Sequence, residues 1–205
     1  MVTGPKLEIK NLSMRYHTLN GETEAVSDFS LKVDEGEFIS IVGPSGCGKS
    51  TILSLIAGLL KPSSGSIYLD GIEITKPTGH IGYMFQEDDL FEWRTIQQNT
   101  MLGLEIQHAD SPEQRKRLDD MLFKYGLDNF KNYYPRQLSG GMRQKVALIR
   151  TLALAPELLL LDEPFSALDY QTRLAVADEI GTILKQEQKT TILVTHDISD
   201  EICIS

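Results

Sequence analysis

Residues 37–51 read EFISIVGPSGCGKST, and the order of residue types in that run decides the fold. Glu37 to Val42 is short and mostly apolar, the pattern of a strand largely shielded from water. It breaks into Gly43-Pro44-Ser45-Gly46-Cys47-Gly48-Lys49-Ser50-Thr51, which fits the G-x-x-x-x-G-K-[ST] spacing of a phosphate loop. Glycines let successive backbone N–H groups curl around an anion without Cβ clashes, at the start of the helix that follows. Lys49 is placed to reach the β- and γ-phosphates of a nucleotide, and the Ser50 hydroxyl to ligate Mg²⁺. A helix from Lys49 to about Leu60, ended by Lys61-Pro62, is expected to complete the strand–loop–helix unit. The loop by itself predicts a bound nucleotide and nothing finer.

Outward from this loop, Lys6–Ile9 and Phe29–Val33 alternate polar and apolar residues as half-buried strands do, and Gly65–Gly71 is a short strand between glycine turns. From about Thr95 to Ala155 helices dominate. Ser111-Pro112-Glu113-Gln114 has the form of a capping box with proline at the first helical position. Leu118, Met121, Leu122 and Tyr125 follow at helical spacing, with Gly126 as the stop. A second helix is expected from Ser139 to about Leu154. Leu158–Leu161 is an uninterrupted apolar run that fits a strand buried on both faces of a parallel sheet. A helix over 172–187 and a buried strand over 191–194 come next, so the crossovers should be right-handed and parallel. The expected fold is α/β: a parallel sheet carrying the phosphate loop, an antiparallel N-terminal β layer, and an inserted helical subdomain. One domain spans 1–205, with its core at 1–86 and 156–205 and the helical subdomain at about 87–155.

The apolar run ends in Asp162, with Glu163 and Pro164 behind it. An acid at the end of a buried strand beside a phosphate loop is placed to hold Mg²⁺. Glu163, one residue further, is placed to polarise an attacking water as general base, a role that contributes about 10²–10⁴-fold in rate. Leu138-Ser139-Gly140-Gly141-Met142-Arg143-Gln144 supplies a hydroxyl, two glycines and a helix N-terminus, the makings of a second anion site.

With these three motifs in this order, the chain resembles the ABC transporter ATPases over essentially its whole length, and Leu138–Gln144 resembles their signature. The resemblance implies further roles. Gln86 in Tyr83-Met84-Phe85-Gln86 matches the glutamine that senses Mg²⁺ and water and links to the helical lobe. Ser166-Ala167-Leu168-Asp169 matches the loop that crosses the dimer interface, and His196 the histidine that contacts the γ-phosphate. Tyr16 sits where the family stacks an aromatic on adenine, though a half-buried strand-end tyrosine reads the same way. The family pairs two cassettes head to tail, so Ser139, Gly140 and Gly141 would act on the ATP held by a second copy. The partners implied are therefore a homodimer with ATP, transmembrane permease subunits and, indirectly, a periplasmic or lipoprotein substrate-binding protein.

Leu90-Phe91-Glu92-Trp93-Arg94-Thr95 resembles a run in ATPases of nitrate, sulfonate, taurine and thiamine-precursor importers, with Glu92 where they have proline. Met142 and His196-Asp197-Ile198-Ser199 point the same way. Phe91 and Trp93 are expected on the helical lobe where a membrane subunit docks, the alternative being two core aromatics. Set against an importer are a non-transport ABC ATPase and an ATP-dependent clamp. Family members continue further past the histidine, so a truncated C-terminus is expected.

Composition agrees with this reading. The 205 residues hold 20 basic and 29 acidic side chains, a net charge of −9, which argues against nucleic acid as a partner. Cys47 and Cys203 are too few for a disulfide framework and suit a reducing cytosol. No signal-peptide pattern opens the chain, and no apolar run approaches the roughly 20 residues that span a bilayer. The expected location is cytoplasmic, peripheral on the inner face of the membrane.

Overall fold

The computed structural model describes residues 4–18 and 21–196. Two four-stranded sheets form the framework. The antiparallel one has strands in the order β2 (Gly21–Val33), β1 (Leu7–Thr18), β4 (Ser64–Leu69) and β5 (Ile72–Glu73). The parallel one runs β3 (Phe38–Val42), β8 (Thr190–Thr195), β7 (Leu158–Asp162) and β6 (Ile81–Met84). Helix α1 (Lys49–Ile56) leaves the end of β3, and α2 (Ile96–Ile106), α3 (Pro112–Lys124) and α4 (Gly140–Leu152) are inserted between β6 and β7. Helix α5 (Tyr170–Glu187) joins β7 to β8. The α/β class with an antiparallel layer and a helical insertion is as the sequence predicts.

The leucine run at 158–161 shows why its apolar character is continuous. Leu158 and Leu160 pack with α1 and the antiparallel sheet, beside Leu53, Ile56 and Ile9. Leu159 and Leu161 face the other way, into a core built with Val146, Ile149, Leu152 and Ile180. Successive strand residues alternate faces, and here both faces are cores.

Three local expectations need correction. Helix α1 ends at Ile56, earlier than Leu60, because Gly58 takes φ +71° and turns the chain before Lys61-Pro62 is reached. A Cβ on Gly58 would lie 2.5 Å from the Lys76 carbonyl carbon, so that turn admits only glycine. Ser111 does cap α3, its hydroxyl accepting the Gln114 N–H at 3.2 Å, with Pro112 at the first turn. The Gln114 side chain does not reach back, and its buried Oε1 has no partner; the reciprocal box forms instead at Thr95 and Gln98, opening α2. The N-terminal strands are also far longer than Lys6–Ile9 and Phe29–Val33. Their outer halves form an exposed hairpin, where no apolar alternation marks a strand.

At the N-terminal ends of β6 and β7, the side chains of Lys6, Asp70, His80 and Glu157 join the two sheets. Lys6 Nζ donates to Asp70 Oδ2 and to Glu157 Oε2, both at 2.6 Å, and His80 Nδ1 lies 2.9 Å from Glu157 Oε1. The Lys6 ammonium, ahead of smaller contributions from Asp70 and His80, draws the Glu157 carboxyl from 4.5 down to about 2. A carboxyl with a depressed folded pKa stabilises the fold above its unfolded pKa and ceases to do so as pH falls through the folded value. Glu157→Gln should therefore lower Tm at neutral pH. The difference from the unmodified chain should shrink as pH falls from 4.5 towards about 2 in a thermal-unfolding series.

Candidate active site

Three strand ends meet at one edge of the parallel sheet. Val42 pairs with Thr195, and Asp162 with Val194. Gly43 N–H donates to the Thr195 carbonyl at 3.3 Å and Glu163 N–H to the Val194 carbonyl at 2.9 Å. The phosphate loop, the Asp162-Glu163 pair and His196 are thereby gathered at the carboxyl ends of the strands, where open α/β sheets bind ligands.

Within that edge, Lys49 is buried and its Nζ donates to the Gly43 carbonyl at 2.7 Å and the Pro44 carbonyl at 3.0 Å. The same nitrogen lies 3.4 Å from Glu163 Oε1, while His196 Nδ1 lies 2.9 Å from Glu163 Oε2. Each oxygen of Glu163 thus faces one nitrogen donor. Glu163 sits at φ +43°, a left-handed conformation uncommon for a side-chain-bearing residue. Ser50 Oγ donates to Asp162 Oδ1 at 2.9 Å, and the Tyr83 hydroxyl donates to Asp162 Oδ2 at 2.9 Å. Burial first, and then the Asp162 charge, push the Tyr83 hydroxyl well above its usual range, so it stays a donor at neutral pH.

A cleft of about 500 Å³ opens over these groups, lined by Tyr16, Ser45, Gly46, Lys49, Gln86 and Glu163 among others. Tyr16 stands at its rim, 37% exposed, with its hydroxyl 3.4 Å from Thr51 Oγ1. Gly46 and Gly48 have φ +80° and +98°. A Cβ at Gly48 would lie 2.2 Å from the Ala25 carbonyl oxygen, because α1 starts hard against β2. A slightly larger cleft of about 540 Å³, lined by Glu35, Phe38, Leu184 and Lys189, lies at the opposite end of the parallel sheet and contains none of these groups.

Gln86 donates from Nε2 to Ser166 Oγ at 3.2 Å, joining the segment after β6 to the loop after β7. That segment is held again further on. Arg143 Nε donates to Asp88 Oδ2 at 2.9 Å, and Arg150 donates to the carbonyls of Asp89 and Asp88 at 2.7 and 2.9 Å. Both arginines belong to α4, the helix that Ser139 opens by accepting the Met142 N–H at 3.3 Å.

The structure does not bring every predicted residue to the cleft. Gly43, Pro44, Asp162 and His196 adjoin the groups that line it without lining it themselves, and Ser139, Gly140, Gly141 and Asp169 are absent from its lining. Gly140 and Gly141 pack on Leu168 and on Val176 of α5, where an added Cβ would meet side-chain carbons at 2.8 and 2.4 Å. Asp169 caps α5, accepting the Thr172 N–H at 3.1 Å. The Thr172 hydroxyl, then its amide, hold this carboxyl below the usual aspartate range. Residues 197–199 and Cys203 lie outside the described residues, and Cys47 is exposed with a free thiol. Tyr83 escaped the sequence reading as a site residue, because only the pairing of β6 with β7 brings it beside Asp162.

Phe91 and Trp93 are not two core aromatics. They stack at 4.8 Å with 10° between their planes, and Trp93 is 73% exposed. Buried Asn99 shapes the turn that carries them, accepting the Phe91 N–H at 2.7 Å and donating to the carbonyls of Phe91, Arg94 and Thr95. Among the described residues no helix is long and apolar enough to cross a membrane.

The ABC transporter family profile matches residues 26–166. The chain is 41% identical over 199 residues to the taurine import ATP-binding protein TauB of Roseobacter denitrificans, covering 97% of this chain and 74% of TauB. It is 40% identical over 199 residues to the nitrate import ATP-binding protein NrtD of a Synechocystis species, covering 97% of this chain and 75% of NrtD. A dimeric post-hydrolysis structure of the ATP-binding cassette MJ0796, bound to ADP and Pi, superposes with a TM-score of 0.80 at 35% identity, over 95% of this chain and 89% of that one.

Proposed function

The chain belongs to the ABC transporter family as an ATP-binding, ATP-hydrolysing subunit, and from that premise we propose that the cleft under residues 43–51 holds MgATP and drives an importer of small oxyanions. The observation that carries the reading is the grouping of Lys49, Ser50, Asp162, Glu163 and His196 at one sheet edge. The amides of 45–51 curl around the β-phosphate at the start of α1. Tyr16 takes the adenine face. Lys49 and His196 are the two donors on Glu163, and a γ-phosphate competes for both. Its arrival draws them off and leaves the Glu163 carboxylate to accept a proton from the attacking water.

Mg²⁺ fits this chain's donors. Ser50, Asp162 and Gln86 offer hard oxygens, and Gln86 commits its amide nitrogen to Ser166, so its carbonyl oxygen is the atom that can reach a metal. No cluster of three His, Cys, Asp or Glu exists among the described residues, which suits an ion that keeps water and phosphate ligands. When bound, the ion neutralises charge developing on the β- and γ-oxygens.

Residues 87–155 act as a helical subdomain on the core formed by 1–86 and 156–205. Ser139, Gly140 and Gly141 serve the ATP of a second copy, with Asp169 crossing between the two, which accounts for their place outside the cleft. The exposed Trp93 supports docking of permease subunits on the helical side, at the inner face of the membrane, with a substrate-binding protein delivering cargo from the far side. TauB is a taurine importer's subunit and NrtD a nitrate importer's, so a sulfonate or nitrate is the favoured cargo. In liposomes containing the chain and its membrane subunits, ATP-dependent uptake of taurine, an alkanesulfonate or nitrate is the expected result. Membrane subunits that neither bind the chain nor raise its ATP turnover would overturn the transport assignment.

A further inference from the structure

We propose that Tyr83 is a positioning residue for ATP hydrolysis, its hydroxyl fixing the plane of the Asp162 carboxylate that faces Mg²⁺. The inference rests on the reading above that Asp162 belongs to the metal site. Tyr83 lies on β6 opposite Leu160 of β7, so Asp162, two residues further along β7, projects from the same face of the sheet. The Tyr83 hydroxyl takes Asp162 Oδ2 at 2.9 Å while Ser50 takes Oδ1 at 2.9 Å. The carboxylate is therefore gripped at both oxygens, from the phosphate-loop helix on one side and from β6 on the other.

Packing alone does not require this hydroxyl. The Tyr83 ring stacks on Phe85 at 4.3 Å, and phenylalanine would preserve that contact. What the oxygen adds is direction. A carboxylate held at one oxygen can swing about its Cβ–Cγ bond, whereas one held at both presents fixed lone pairs to a metal or its water. Partners of this kind, one bond removed from a metal, commonly change metal affinity or activity by about 10–100-fold when removed. The Phe85 stack also ties the ring to the residue beside Gln86, the other side chain assigned to the ion.

Tyr83→Phe separates direction from packing. The probe is Mn²⁺ titrated into the 205-residue chain with a non-hydrolysable ATP analogue, free Mn²⁺ being read by electron paramagnetic resonance. The expected result is a rise of about tenfold in half-saturating Mn²⁺. Metal-free affinity for the analogue and Tm should hold, and excess Mg²⁺ should restore turnover. A Tyr83→Phe curve that superposes on that of the unmodified chain overturns the proposal. Asp162→Asn distinguishes the two ways it can fail. If Asp162→Asn shifts the curve and Tyr83→Phe does not, the positioning role is wrong while the metal assignment stands. If neither shifts it, the metal assignment fails and the proposal falls with it.

Discussion

Replacing Glu163 by glutamine should leave ATP binding in place and lower turnover by about 10²–10⁴-fold, the range a positioned general base contributes. The expectation follows from the neighbours of Glu163. Its oxygens lie 3.4 Å from Lys49 and 2.9 Å from His196, at the end of a strand whose residues are all buried. Glutamine has the same shape and keeps one oxygen to accept from Lys49, while its NH2 can donate to His196 once that ring nitrogen is unprotonated, so the loop and strand stay where they are. It loses the negative charge that draws a proton from water. Binding without turnover should also trap the paired form, so size-exclusion chromatography in MgATP should show Glu163→Gln eluting as a dimer. Unchanged phosphate release from this variant would remove Glu163 from the mechanism.

Gly48→Ala should be the most damaging single-methyl change in the phosphate loop. Gly48 sits at φ +98°, where an alanine costs of the order of 1–3 kcal/mol in strain. Its Cβ would also lie 2.2 Å from the Ala25 carbonyl oxygen, a backbone atom in a paired strand that cannot yield as a side chain would. Relief requires α1 to move off β2, which displaces Lys49 and Ser50 together. Nucleotide affinity should fall by at least about tenfold, the equivalent of 1.4 kcal/mol, with a lowered Tm. Gly46→Ala is the internal comparison. Its φ is +80°, but an added Cβ meets nothing within 4 Å, so only the strain remains and the loss should be smaller. Titration with a fluorescent ATP analogue and a thermal melt on both variants check the order.

Much of the fold was legible in the sequence, for reasons that lie in particular residues. A strand buried on both faces must be apolar at every position, and Leu158–Leu161 shows this directly. A phosphate loop must put glycine where Cβ would collide, and Gly48 is such a position. What the sequence hides is contact between distant segments. The two arginines of α4 reach Asp88 and Asp89 across 55 to 62 residues, and nothing in their spacing announces it. Tyr83 reads as one more apolar strand residue until β6 is placed beside β7. The outer hairpin of β1 and β2 was invisible for the opposite reason, because exposed strands carry no alternation. At the end of α1, Lys61-Pro62 is the louder stop signal in the sequence, but Gly58, in a left-handed turn, acts first.

On the proposed function, each active site joins Lys49, Asp162 and Glu163 of one copy to Ser139, Gly140 and Gly141 of another. Mixing two disabled chains tests it most directly. Lys49→Ala removes the phosphate-binding half, and Ser139→Arg fills the other half with a bulky side chain at the start of α4. Each variant alone should be nearly inactive. A heterodimer of the two carries one intact site, made from the Ser139→Arg chain's phosphate loop and the Lys49→Ala chain's Ser139. Phosphate release from the mixture should therefore rise clearly above the sum of the separate variants. A mixture no more active than that sum would contradict a site shared between two copies.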